Sequence, residues 1–376
     1  MQRGSEAFNG MFDRIVLIQF LRLYGKQALH RLDVSNYPWE LLIRQARHAN
    51  LLSRVAVLLQ ESDLLNRLPE KPRLHFCNAM RLAEANARSS NWEVRQVYDA
   101  LHTADIEFLL LKGAAYIWLQ NDAAKGRLFS DTDIMVEKVH LELAERSLAR
   151  KAWFGDSYDR YKQRYYRKWM HEIPPLRHIQ RQTTLDVHHT ILPPTSRLKP
   201  KPMQLWDSAV PVEQMPGLFT LSPIDMILHS ATHLFHEGEF GQGLRDISDL
   251  DLLLRQYIVA NDDWSSLLRR SIELNLERPL FYALNYAAQI LHTPISKSTI
   301  TEAGRLARLN PMQRRWMDAL FLRALAPSHS SCRVKGYGLA CWLLYIRSHW
   351  LRMPVHLLIP HLFRKSWMRL TGKDNH

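Results

Sequence analysis

Apolar and polar positions follow two different periods along this chain. Up to about residue 95 the period is helical. Trp39, Leu41, Leu42, Ala46 and Leu51 recur at near-helical spacing with Arg and Glu between them. Pro69 and Pro72 predict a break, and residues 74–101 read as a further helix. The pattern then changes. Ile106-Glu107-Phe108-Leu109-Leu110-Leu111 is an apolar run of strand length that ends at Lys112-Gly113, and residues 114–120 start a helix. Asp131-Thr132-Asp133-Ile134-Met135-Val136 opens with acids and closes apolar, as a strand with carboxylates at its mouth. An amphipathic helix is expected over 141–153, and strands over 174–179 and 183–189, joined by a turn at 180–182.

Pro193-Pro194 and Lys199-Pro200-Lys201-Pro202 read as a linker. Ser222-Pro223 is a cap and first-turn pair for a helix over 224–236, and the chain reads as helical from there on. There is no internal repeat. These patterns divide the chain into an N-terminal helical domain (1–95), a mixed α/β core (96–192) and a C-terminal helical domain (193–376). The expected class is α+β.

Composition narrows the field. The 376 residues are 46% hydrophobic and 23% charged, which excludes a disordered or collagen-like chain, and 14 glycines favour helices over many tight turns. Lys+Arg is 50 against Asp+Glu 37, so the chain carries +13 and attracts polyanions without specificity. Cys77, Cys332 and Cys341 have no metal-type spacing and imply no disulfide framework. The first residues lack an apolar signal core, and the apolar run near 339–346 is too short for a membrane span of about 20 residues. A cytoplasmic protein without a transmembrane span is expected.

The sharpest chemistry is Asp131-x-Asp133. Residues two apart on a strand point to one side, so both carboxylates face one point. A D-x-D pair alone more often sits in a solvated loop. Here its context suggests a cation, and Mg²⁺ or Mn²⁺ takes carboxylate and phosphate oxygens together. Upstream, Lys112-Gly113 leads from a strand into a helix, where a glycine lets a phosphate approach backbone N–H groups. Arg127 stands four residues before Asp131 and suits phosphate oxygens. Downstream, Leu185-Asp186-Val187-His188 puts a third carboxylate on another apolar strand. The alternative for Asp186 is a strand-end acid satisfied by backbone or by Arg181.

Leu109-Leu110-Leu111-Lys112-Gly113-Ala114-Ala115, then Arg127-x-x-Ser130-Asp131-x-Asp133-Ile134-Met135-Val136, then Leu185-Asp186-Val187-His188 together resemble the uncharacterised bacterial nucleotidyltransferase family. That family belongs to the DNA polymerase beta-like nucleotidyltransferase superfamily. The resemblance extends to the helices around 39–59 and to 229–249. It implies a nucleotidyltransferase-type mixed sheet between helical domains, with ATP or another NTP as substrate. It also implies Mg²⁺-dependent transfer of a nucleoside monophosphate to an acceptor hydroxyl on a small molecule, protein or nucleic acid. Asp131, Asp133 and Asp186 would be the catalytic metal ligands; Lys112, Gly113, Arg127 and Ser130 would bind the nucleotide. The chain departs from the superfamily pattern at Ala114, where Ser or Gly is usual, and in a longer gap from Gly113 to Asp131. The alternative is a catalytically weak or inactive module of this fold that binds nucleotide or nucleic acid.

His229, His233 and His236 fall on one helical face, and three imidazoles there suit zinc. A packing face is the simpler reading, and a substrate-contacting face the next. Arg245-Asp246 and Asp249 read as a helix-joining ion pair. The resemblance makes His188, His233 and Asp249 second-tier site candidates. His171 and His188-His189 flank the strand segment, with core or edge roles equally open. Residues 158–169 interleave bases and aromatics, as an exposed basic hairpin or loop or as a base-stacking surface. The basic, Trp-rich segment 342–370 suits a packed terminal hairpin, or an acidic partner or membrane surface.

Overall fold

The structure is a computed structural model that describes residues 10–155 and 160–354. Its centre is a mixed sheet of seven strands. They are β1 (Phe108–Leu110), β2 (Asp131–Met135), β3 (Trp153–Gly155), β4 (Leu176–His178), β5 (Thr184–His188), β6 (Val210–Pro211) and β7 (Leu218–Thr220), in the order β3-β4-β5-β2-β1-β7-β6. β2 runs parallel to β5 and β1 parallel to β7, while the remaining neighbours are antiparallel. Helices flank it on both chain ends, and the fold is α+β.

The two faces of the sheet differ because side chains alternate along a strand. Phe108, Leu110, Ile134, Val136, Leu185 and Val187 face a core completed by Val97 and Leu101 of helix Glu70–His102 and by Ala144 and Leu148 of helix Leu141–Arg150. Leu109, Leu111 and Met135 face a larger core shared with the C-terminal helices, including Leu228, Leu244 and Leu284. The 33-residue helix Glu70–His102 serves both: Phe76 lies in the larger core, Val94 to Leu101 in the smaller. Full burial of a side chain the size of Phe76 or Leu101 contributes roughly 1.5–3 kcal/mol, so this one helix binds the two cores together.

Several expectations need correction. Pro72 does not break the helix. It lies in the first turn, where no intrahelical N–H is needed, and the break stays at Pro69. The helix expected to reach residue 153 ends at Arg150; Ala152 turns the chain with φ 67°, and Trp153 enters β3. Residues 160–169 form a helix, Arg160–Trp169, instead of a hairpin or loop. The segment 193–376 is not helical throughout, since β6 and β7 come from it and β7 pairs with β1. Strands of two and three residues are too short to show a period, which is why the pattern missed them.

The Ser222-Pro223 expectation is met. Asp225 N–H donates to Ser222 Oγ at 3.2 Å, and helix Pro223–Glu237 ends at Gly238, in the left-handed region at φ 85°. Helices Pro311–Ala324 and Tyr337–Arg352 form a packed hairpin near the C-terminus, and the rest of the basic segment, 355–370, lies outside the described residues. No described helix is long and apolar enough to cross a membrane.

Candidate functional site

β2 and β5 pair with Asp133 opposite Asp186 and Asp131 opposite Thr184. Residues opposite each other on paired strands share a face, as do residues two apart. Asp131, Asp133, Asp186 and His188 therefore stand together on the face toward the C-terminal helices. Asp131 is exposed at the mouth, Asp133 is buried and Asp186 half-buried. Ser130 Oγ lies 3.2 Å from Asp131 Oδ1.

Lys112 joins them from the turn after β1. Leu111 N–H donates to Asp133 O at 3.0 Å, which fixes this turn against β2. Lys112 takes φ 44°, a left-handed conformation that costs a non-glycine residue about 1–2 kcal/mol. Its Nζ lies 3.5 Å from Asp133 Oδ1. His188 Nε2 lies 3.0 Å from the same oxygen, and His188 Nδ1 lies 3.5 Å from Glu172 Oε2. His171, Glu172 and His188 can each offer a metal-ligand atom within 4.8 Å of the others.

The charges are uneven. Burial opposes the charged form of Asp133, but Lys112 and His188 outweigh it and hold this carboxyl well below its ordinary range. The Lys112 ammonium is held above its usual value: burial opposes it, while Asp133, Glu237, Glu172 and Asp131 favour it. Asp186 behaves in the opposite way. Burial, then the negative charge of Asp133, pushes it up to about 7. Among the described residues its Oδ1 has no hydrogen-bond partner. Burial also raises Glu172. Arg181 does not satisfy Asp186, because it binds Glu93 at 2.7 Å and stacks over Trp92 and Trp153.

Two expected nucleotide-binding residues stand differently from the others. At Gly113 an added Cβ would meet the Phe129 ring at 2.0 Å, so packing already accounts for glycine there. Asn86 clamps that ring's backbone, donating to Phe129 O at 2.9 Å and accepting from Phe129 N–H at 2.8 Å. This fixes the loop that delivers Ser130 and Asp131. Arg127 is engaged elsewhere. Its Nε lies 3.0 Å from Asp249 Oδ2 and its Nη2 3.6 Å from Asp246 Oδ1, and it lies over the Phe129 ring. Asp249 also pairs with the buried Arg54 at 2.7 Å.

The three helical histidines do not converge on one ion. His233 pairs with Glu237 at 2.7 Å and His236 with Ser196 Oγ at 3.0 Å. His229 is buried and pushed well below its ordinary pKa, first by burial and next by Lys112. His229 and His233 both act electrostatically with Asp133, so this helix face borders the acid cluster. Sequence reasoning passed over Glu172, Glu237 and Asn86. Glu172 follows His171 beside the apolar strand, and Glu237 lies one turn after His233; those spacings were the available signals. Nothing along the sequence pointed to Asn86, whose partner is 43 residues away.

No curated protein and no solved structure matches the chain. One family model does, over residues 35–292, and its description is uncharacterised nucleotidyltransferase. That span holds both strands of the acid cluster, the Lys112 turn and the helix of His233, and the chain belongs to this nucleotidyltransferase family.

Proposed function

We propose that the chain transfers a nucleoside monophosphate from an NTP to an acceptor hydroxyl in a Mg²⁺-dependent reaction that releases pyrophosphate. The observation that carries this reading is the register of Asp133 against Asp186, with Asp131 at the mouth of the same strand. The residues fit a divalent cation. Two adjacent carboxylates repel, and Asp186 Oδ1 waits without a partner among the described residues. Asp131, Asp133 and Asp186 would hold Mg²⁺, which when bound polarises phosphoryl oxygens and lowers the pKa of a coordinated hydroxyl.

The protein's own groups take the remaining roles. The Lys112 ammonium, already charged and beside Asp133, neutralises phosphate oxygens of the NTP. Asp186, which comes from the other strand, accepts the proton of the acceptor hydroxyl. The freed oxygen attacks the α-phosphorus, the bond to the bridging oxygen breaks, and pyrophosphate departs. Ser130, beside Asp131 at the mouth, meets the nucleotide, while Gly113 makes room for Phe129 and Arg127 sets the loop that carries Ser130. His188 positions Asp133. His233 and Asp249 support from the C-terminal helices, His233 through Glu237 and Asp249 through Arg127.

The test pairs calorimetry of NTP binding, with and without Mg²⁺, with a pyrophosphate-release assay across acceptor classes. Mg²⁺-dependent binding and release support transfer. Binding without release over small-molecule, protein and nucleic-acid acceptors would favour the non-catalytic module.

A further inference from the structure

A second set of ligating atoms lies against the acids but uses different donors. His188 spends Nε2 on Asp133 Oδ1 at 3.0 Å. Its other nitrogen, Nδ1, has no hydrogen-bond partner among the described residues, although the residue is only 3% exposed. Glu172 Oε2 stands 3.5 Å from that nitrogen and 3.9 Å from His171 Nε2. His171 is 7% exposed, and its Nδ1 also lacks a partner among the described residues.

The backbone holds these three residues in place. His189 N–H donates to His171 O at 2.8 Å, Ile173 N–H donates to Val187 O at 3.0 Å, and Glu172 bridges His188 in antiparallel sense. The cluster is thus an extension of the sheet at the end of β5.

A buried polar atom left unpaired costs about 1–3 kcal/mol, so the orphan His188 Nδ1, which faces Glu172, calls for something to complete it. At 3.5 Å the Glu172 carboxylate is too far from His188 Nδ1 for a hydrogen bond. A metal-bound histidine characteristically donates its other ring N–H to a carboxylate, which fixes the tautomer. His188 makes that contact with Asp133 through Nε2, so Nδ1 is the nitrogen that faces Glu172. Two imidazoles and one carboxylate suit a first-row transition ion; Mg²⁺ prefers oxygen alone. An ion with ligand bonds of about 2.0–2.2 Å brings its ligand atoms to roughly 3.3 Å from one another, so Glu172 and His188, at 3.5 Å, are near that spacing and His171 Nε2, at 3.9 Å from Glu172, closes in on binding.

We propose that His171, Glu172 and His188 form a binding site for a divalent first-row transition ion, Zn²⁺ being the representative, separate from the cation expected at Asp131, Asp133 and Asp186. The ion would lock His188 with Nε2–H on Asp133 and so orient that carboxylate. The site does not depend on nucleotidyl transfer.

The experiment uses the full chain, stripped of metal and titrated with Co²⁺ in excess Mg²⁺, with visible ligand-field bands as the signal. Wild type and Asp131→Asn are expected to develop the same bands at one equivalent. His171→Asn and Glu172→Gln should lose them or need at least about tenfold more Co²⁺. X-ray absorption on Zn²⁺-loaded wild type should show two imidazoles, and that reading stands even if a variant misfolds. Absence of imidazole scattering, unchanged Co²⁺ binding in His171→Asn, or bands lost in Asp131→Asn alone would overturn the site. Failure of pyrophosphate release would sink the transferase reading and leave the Co²⁺ bands untouched.

Discussion

Two clusters of buried charge in this molecule are balanced in different ways. Around Asp249 the carboxylates are matched by guanidinium groups. Arg54 lies 2.7 Å from one oxygen and Arg127 3.0 Å from the other. Arg54 also donates to Lys125 O, Ala123 O and Ser248 Oγ. The chain packs tightly over this network: at Gly126, with φ 61°, an added Cβ would sit 2.5 Å from the Arg54 backbone. On β2 and β5, Asp133 has Lys112 and His188, yet among the described residues no ion pair reaches Asp131 or Asp186. A buried charge that serves the fold is matched by its own chain. One that serves a ligand leaves negative charge for the ligand to neutralise.

The largest effect should come from the unmatched acid. Asp186→Asn is expected to cut single-turnover transfer by about 10²–10⁴-fold while Mg²⁺–NTP affinity stays near wild type. Its stability should hold or rise, since a like charge beside Asp133 is removed. Asp133→Asn should behave differently. The D-x-D pair viewed by itself predicts that losing either acid relieves repulsion, but Lys112 and His188 depend on Asp133, so this variant should lose about 1–3 kcal/mol in denaturant unfolding. Equal stability of the two variants would erase the distinction between matched and unmatched acids.

Within the matched cluster, Arg54 should matter to stability alone. Arg54→Met leaves Asp249 with one cation and is expected to cost about 3–5 kcal/mol, with transfer per folded molecule unchanged. A stable Arg54→Met protein would contradict a structural role for the network.

A smaller effect separates packing from phosphate binding at Gly113. Gly113→Ala should cost about 1–3 kcal/mol through the clash with Phe129, and Phe129→Ala in the same chain should recover much of it. If stability recovers but NTP affinity does not, the glycine also serves the nucleotide.

The smallest effect is a pH slope remote from the acids. His236, bonded to Ser196, is pushed down to about 3 by burial and then by Arg352 and Arg347, against an ordinary value of 6.5. Its folded-state value lies below its unfolded one, so as pH falls the unfolded chain takes up the proton first. The contribution is fully present above about 6.5 and is lost toward pH 3. Between pH 6 and 5, His236→Gln should flatten the fall in stability by up to about 1.4 kcal/mol per pH unit. An unchanged slope would assign the acid sensitivity to other buried histidines.

The sequence by itself determined the two site strands with their polarity and the start of one locally capped helix. A run opening on acids and closing apolar marked β2 and alternation marked β5, and the period of two along a strand put Asp131 and Asp133 on one side. Ser222-Pro223 marked its helix start, because capping is local chemistry. The tertiary structure decided what depends on separation in the chain. Register brought Asp186 beside Asp133 across 53 positions of sequence. It gave Arg127 to Asp249 instead of leaving it free for phosphate, and filled the space at Gly113 with Phe129. The pairing of 171–173 with the end of β5 put Glu172 beside His188. A carboxylate carries no local mark of whether a cation, a like charge or nothing will face it, since Coulomb energy depends on distance in space and on burial, and both arise only when the chain packs.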